Sequence, residues 1–147
     1  MKQPIVERVE VNCYRIPTEE VESDGTYRWE DTVLVATHLH CGGEKGFGYS
    51  YAAPAAATLI KDKLGDLVRG RNALDITGSW LVLTGALRNL GDAGIGMMAV
   101  SALDAALWDL KARLLGVPLV SLLGEARERV PVYGSGGFTS YTVEKLQ

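Results

Sequence analysis

The sequence predicts an α+β fold: a three-stranded antiparallel meander, then a helical bundle, then the start of a second unit. Three observations predict it. Apolar residues alternate with period two as far as Tyr51, and they recur at spacings of three and four from Pro54 to Leu115. The single marked shift of composition falls near Gly124 to Val130. Strands gathered before helices, instead of alternating with them, belong to α+β architecture. The expected division is a first domain over 1–125 and a partial second unit over 126–147.

The first strand is expected from Val6 to Arg15, with Val9, Val11 and Cys13 on one face and Arg8, Glu10 and Asn12 on the other. A polar loop is expected from Pro17 to Asp31, with Asp24-Gly25 as its turn signal. A second strand runs from Thr32 to Cys41, where Val33, Val35, Leu39 and Cys41 share a face. Gly42-Gly43 then gives a tight connection to a third strand, Lys45 to Tyr51.

The period changes after Pro54, a residue suited to the first turn of a helix. Leu59, Ile60, Leu64, Leu67 and Val68 mark one helix that ends by Gly70. Asp75 can cap a second, carrying Trp80, Leu83, Leu87 and Leu90, with Gly91 beyond its end. The third helix is the clearest: Val100, Leu103, Leu107, Leu110 and Leu114 form one ridge, and Gly116 and Pro118 stop it. Ala99, Ala102 and Ala106 keep another of its faces thin enough for close packing. Asp109 and Arg113, four apart, can pair on the exposed side. Leu119 to Leu123 adds a short helical turn. Val130 to Ser135 reads as a new strand entering a glycine-rich loop, and Thr142 can cap a last helix.

Composition narrows function by exclusion. The chain has 147 residues, 47% apolar and 22% charged, with a net charge of −3 and no basic stripe, which argues against nucleic acid. No stretch approaches the ~20 continuous apolar residues of a membrane span, and the N-terminus carries no apolar signal core. A cytoplasmic protein is expected, with Cys13 and Cys41 reduced and half-buried in strands.

The stretch from Ala99 to Lys111, with Asp104, Ala106, Trp108 and Asp109, runs into Gly116-Val117-Pro118-Leu119 and Leu122-Leu123-Gly124. It resembles the last helix of the N-terminal capping domain in the mandelate racemase and muconate-lactonizing enzymes of the enolase superfamily. The order of elements over nearly the whole chain is similar as well. The resemblance implies an enzyme in which a base removes the proton next to a carboxylate while Mg²⁺ stabilises the enediolate. That carbon acid is too weak for a side-chain base without such electrostatic help. It also implies that the bases and metal ligands lie on later strands of a (β/α) barrel, which takes about 250 residues. The residues after Gly124 are too few to make one. The barrel-strand Lys-x-Lys motif and the acidic ligands that the resemblance implies are absent from the residues after Gly124, so Mg²⁺ is expected in a full-length parent and not on this chain.

By the same resemblance, two mobile loops close over the barrel mouth and set substrate preference. They match Pro17–Asp31 and the segment around Tyr49–Pro54. The candidate substrate contacts are Asp24 and Trp29 on the first, Tyr49 and Tyr51 on the second, and Ser135 at the end of the first barrel strand. For Tyr49 the alternative is a strand residue packed on the helices, for Trp29 a buried loop anchor, and for Ser135 a turn serine. Asp104 and Trp108 are expected as a packing pair at the seam between cap and barrel. The substrate expected for the parent is a small α-hydroxy or sugar carboxylate; the acidic first loop mildly disfavours a highly anionic one. Association as a homo-oligomer through the cap is compatible with the resemblance.

Other patterns fall away. Gly94-Ile95-Gly96 opens a helix as a dinucleotide fingerprint would, but no acidic residue follows at the distance a ribose requires. His38 and His40 share a strand face without a third ligand nearby in sequence. Gly42, Gly43, Gly46 and Gly48 lack the Lys-Ser/Thr of a phosphate loop and are assigned to hairpin geometry. Two readings stand: the capping part of a racemase, cycloisomerase or acid-sugar dehydratase, itself inactive, and a stand-alone binding or interaction module. A reading frame continuing past Gln147 into a Lys-x-Lys strand separates them.

Overall fold

The computed structural model describes residues 3–91, 93–134 and 137–147. Three strands, β1 (Arg8–Ser23), β2 (Arg28–Cys41) and β3 (Glu44–Tyr51), form one antiparallel sheet in the order β1-β2-β3. The β2–β3 turn places Gly42 at φ 59° and Gly43 at φ 86°. Positive φ at both central residues is what a tight two-residue hairpin requires and side chains resist.

The helical half begins with α1 (Pro54–Leu59), a π-helical turn (Ile60–Leu64) and α2 (Gly65–Val68), which follow one another without a break. The Gly65 N–H donates to the Ile60 carbonyl five residues back, the extra residue of a π turn. Helix α3 (Ile76–Gly85) starts at Asp75, whose carboxylate accepts from the Gly78 N–H at 2.9 Å, as a capping residue should. Helix α4 (Ile95–Leu115) ends on Gly116 at φ 67°, a left-handed terminus. Two short helices follow, α5 (Leu119–Leu123) and α6 (Val143–Leu146).

The core lies between one sheet face and the helices. Val35, Leu39 and Cys41 from β2 meet Ile60, Leu64, Leu83, Val100, Leu103, Leu107 and Leu110, all of them buried. Each fully buried aliphatic side chain contributes about 1.5–3 kcal/mol. Helix α4 crosses directly over β3, and two glycines make that possible. A Cβ on Gly46 would overlap the Ala106 carbonyl and the Leu110 backbone; one on Gly48 would overlap Ala102 and Ala106. These two glycines therefore serve the packing of a helix on a strand, in addition to the hairpin geometry expected for them.

Several expectations are corrected. The segment Pro17–Asp31 is no loop: β1 and β2 run on as a hairpin to a turn at Asp24-Gly25, with residues 18–21 bulged opposite Glu30. Its many charges mimic a loop, yet cross-strand partners hold it. Cys13 is exposed, because the helices do not reach that end of edge strand β1, while Cys41 is buried. Trp80 and Leu90 are 38% and 57% exposed and leave the core to Leu83 and Leu87. Val130 to Gly134 forms no strand; Val132 and Tyr133 are 90% exposed. A strand needs a neighbour to accept its backbone hydrogen bonds, and the described residues offer none there. Among the described residues no helix is long and apolar enough to cross a membrane.

Candidate functional site

The extended hairpin carries the first set of candidate residues, and most of its acidic side chains are engaged within the chain. Asp24 accepts from the Thr26 N–H (2.8 Å), the Thr26 hydroxyl (2.7 Å) and the Tyr27 N–H (2.8 Å), all through Oδ1. These donors, led by the Thr26 hydroxyl, hold its carboxyl below the ordinary value. Asp31 accepts from Arg15 at 2.6 Å, Glu22 accepts from the Trp29 indole N–H at 2.6 Å, and Glu20 pairs with Lys145. Arg28 lies 3.9 Å from Glu30. The cluster of negative charge that suggested a solvated loop is thus largely consumed in pinning the hairpin.

Trp29 is half-buried. Its ring stacks on Tyr27 (6.1 Å, 15° between planes) and receives Phe138 edge-on at 5.4 Å. It lines an open cleft of about 430 Å³ with Tyr27, Asp31, Thr32, Val33, Tyr51, Ala52 and Ala53. Trp29 and Tyr51, expected on two separate loops, therefore meet where the hairpin leaves the end of β3. The cleft offers aromatic faces, the Tyr51 and Thr32 hydroxyls, and one carboxylate, Asp31, already engaged by Arg15. Such a wall can stack on a small polar ligand, orient it by hydrogen bonds and exclude water.

Tyr49 sits apart from that cleft but is linked to it. Phe47, Tyr49 and Tyr51 form a row along β3, with ring centroids 5.8 Å and 6.0 Å apart. Tyr49 is 50% exposed, so it is not simply a residue packed beneath the helices. It lines a second, largely apolar groove of about 420 Å³ with Phe47, Trp108, Arg113, Leu119 and Leu123. Asp109 stands at that groove's edge, accepting from the Phe47 N–H (2.8 Å) and from Arg113 (2.9 Å). The pair read from sequence exists, and its carboxylate also satisfies a backbone donor of β3. Asp104 is half-buried, and burial pushes its carboxyl up. Ser135 lies outside the described residues.

His38 and His40 are at the other end of the sheet. His40 Nε2 lies 3.0 Å from Glu10. His38 packs 5.1 Å from the Phe47 ring, and burial holds its imidazole below the ordinary value. Among the described residues no group of three or more His, Cys, Asp or Glu side chains converges as metal ligands would. These residues do not fit a Mg²⁺ centre, which takes several converging oxygen ligands.

Sequence reasoning missed Phe138 and Thr139. The Thr139 N–H and hydroxyl both donate to the Ser23 carbonyl, each at 2.9 Å. No local pattern signals a contact between residues so far apart in the chain.

Comparison with known proteins places this geometry. Residues 9–124 match the model of the mandelate racemase / muconate lactonizing enzyme N-terminal domain. The chain is 33% identical over 138 residues to a 3,6-anhydro-alpha-L-galactonate cycloisomerase of Streptomyces coelicolor, covering 90% of this chain and 38% of that protein. It is 34% identical over 121 residues to an L-talarate/galactarate dehydratase of Salmonella typhimurium, covering 80% of this chain and 30% of that protein. A mandelate racemase/muconate lactonizing enzyme-like protein from Rubrobacter xylanophilus superposes with a TM-score of 0.93 at 48% identity, over 97% of this chain and 40% of that one. The Salmonella dehydratase liganded with Mg and L-lyxarohydroxamate gives 0.73 at 26%, over 86% and 35%. The chain thus spans well under half the length of these relatives.

Proposed function

Since the chain belongs to the mandelate racemase / muconate lactonizing enzyme family through its N-terminal domain, we propose that it is the capping, substrate-selecting domain of an enzyme that abstracts a proton next to a carboxylate. Its working surface is the cleft walled by Trp29, Tyr27 and Tyr51, with Tyr49 on the adjoining groove. The observation that carries this reading is the meeting of the hairpin and the β3–α1 junction at one aromatic cleft, in a chain whose relatives act on acid sugars. The substrate class proposed is accordingly a small hydroxylated carboxylate, with acid-sugar dehydration or cycloisomerisation as the reaction.

The division of labour follows from the residues present. Aromatic faces and hydroxyls bind and orient a polyol chain, and closing over it removes water that would weaken electrostatic stabilisation. Bases and Mg²⁺ belong to a barrel following Gly124, in which Val130 to Gly134, unpaired here, would become the first strand on pairing with a neighbouring strand, and Ser135 would contact the carboxylate. Mg²⁺ there would supply the positive charge that makes the enediolate accessible. Asp24 acts indirectly, by fixing the hairpin turn.

The test is a domain exchange. Residues 1–124 of this chain replace the matching cap of the Salmonella dehydratase, and kcat/KM is measured across a panel of acid sugars. A change in the order of preferred substrates, reversed in part by Trp29→Ala and Tyr51→Ala, is expected. An unchanged order would remove the cap from substrate selection. The isolated chain is expected to turn over none of the panel with Mg²⁺; metal-dependent turnover by purified chain would overturn the division of labour.

A further inference from the structure

The contact between the C-terminal segment and the hairpin has a consequence for that site. From Phe138 to Lys145 the chain lies against the hairpin end through three kinds of interaction: an aromatic contact, hydrogen bonds and an ion pair. Phe138 meets the Trp29 ring edge-on at 5.4 Å, with Tyr141 behind it at 5.4 Å. The Thr139 N–H and hydroxyl converge on the Ser23 carbonyl at 2.9 Å each, and the Ser23 and Thr139 hydroxyls are 2.7 Å apart. Lys145 pairs with Glu20 while its ammonium sits 4.0 Å above the Tyr141 ring.

We infer that this segment is a latch: Phe138 and Thr139 are positioning residues that set where Trp29 stands in the cleft. The inference rests on reading the cleft as the substrate-selecting surface, but the latch itself is a matter of side-chain position. Residues 18–21 are bulged and have no regular ladder partner, so the hairpin beyond Pro17 is held by few cross-strand bonds. Trp29 is fixed by three side chains: the indole bond to Glu22, the Tyr27 ring stacked on it and the edge-on Phe138 ring. Glu22 and Tyr27 belong to the hairpin and its turn and move with it. Phe138 does not, and of the three it alone can register Trp29 against the rest of the chain.

The latch couples two parts of the proposed enzyme. The segment that follows Val130–Gly134 would hold the selecting hairpin, so a shift there would move Trp29 without any change within the cap.

The experiment uses the full 147-residue chain labelled with 5-fluorotryptophan, the Trp29 resonance being assigned by Trp29→Phe. Phe138→Ala is expected to shift the Trp29 fluorine signal alone, leaving Trp80 and Trp108 in place, and Phe138→Tyr to restore it. Thr139→Val is expected to speed amide exchange in residues 18–31 by about tenfold, the loss of one or two hydrogen bonds; Thr139→Ser restores protection. Exchange in α4 serves as the folding control. A Trp29 signal indifferent to Phe138→Ala, or hairpin exchange indifferent to Thr139→Val while α4 stays protected, would overturn the latch. No substrate enters these measurements, so the latch can fail while the selecting role stands, and an unchanged substrate order in the domain exchange leaves the latch intact.

Discussion

Asp24 fastens the turn of the hairpin. Its three donors come from Thr26 and Tyr27, which stabilises the ionised form relative to the unfolded chain. The sign follows directly. A carboxyl whose folded value is depressed contributes stability that is complete above its unfolded value and is lost as pH falls through the folded one. For Asp24 the unfolded value is near 3.8, so the hairpin turn should be intact at pH 5 and should loosen only below 3.8. The Thr26 and Tyr27 amide shifts, followed by NMR from pH 6 to pH 2, should titrate with a midpoint under that value, and Asp24→Ala should abolish the titration. A midpoint at or above 3.8 would show that the donors do not hold the carboxylate. The acidic run from Glu19 to Asp31 was readable as a run, but not as a set of partnered groups. The partners Arg15 and Lys145 lie outside it, and sequence separation conceals them.

Elements were legible in proportion to their period. The α4 ridge of Val100, Leu103, Leu107 and Leu110 is buried as its spacing requires, and the Gly42-Gly43 turn pairs Cys41 with Glu44. The extension of β1 and β2 was not legible, because polar side chains on both faces of a solvated ribbon leave no alternation to detect. Equally hidden was the reason for Gly46 and Gly48. The thin face of Ala99, Ala102 and Ala106 announced close packing, but not that β3 was the surface it approached. That approach makes a sharp prediction. Gly48→Ala would drive a methyl into the Ala102 carbonyl and the Ala106 N–H of α4, and overpacking of this kind costs about 1–3 kcal/mol. Gly85→Ala, where a Cβ meets nothing within 4 Å, should be neutral or stabilise by a few tenths of a kcal/mol. Urea midpoints for the two variants, measured side by side, test the helix–strand contact; equal midpoints would mean that α4 does not ride directly on β3.

At the scale of the whole molecule, the fully buried apolar residues gather before Gly124. Every buried hydrophobic residue among those described lies between Val6 and Ala112, and neither α5 nor α6 contains one. Val130, Val132 and Tyr133 are 67%, 90% and 90% exposed, an apolar stretch whose backbone is unpaired. Exposed apolar residues with free strand edges favour association between copies. Ending the chain at Gly124 should therefore separate two properties. The thermal midpoint of the helical signal should shift by no more than about 2 °C, since deletions that remove no buried contact fall within roughly 0.5 kcal/mol. The concentration-dependent association expected of the 147-residue chain in sedimentation velocity should diminish, because the unpaired stretch is gone. Amide exchange of the hairpin should rise at the same time, as Phe138 and Thr139 leave with the segment. A drop of the midpoint by 10 °C would show that the segment after Gly124 completes the core. It would then be a structural part of this domain, and the boundary placed near Gly124 would have to move.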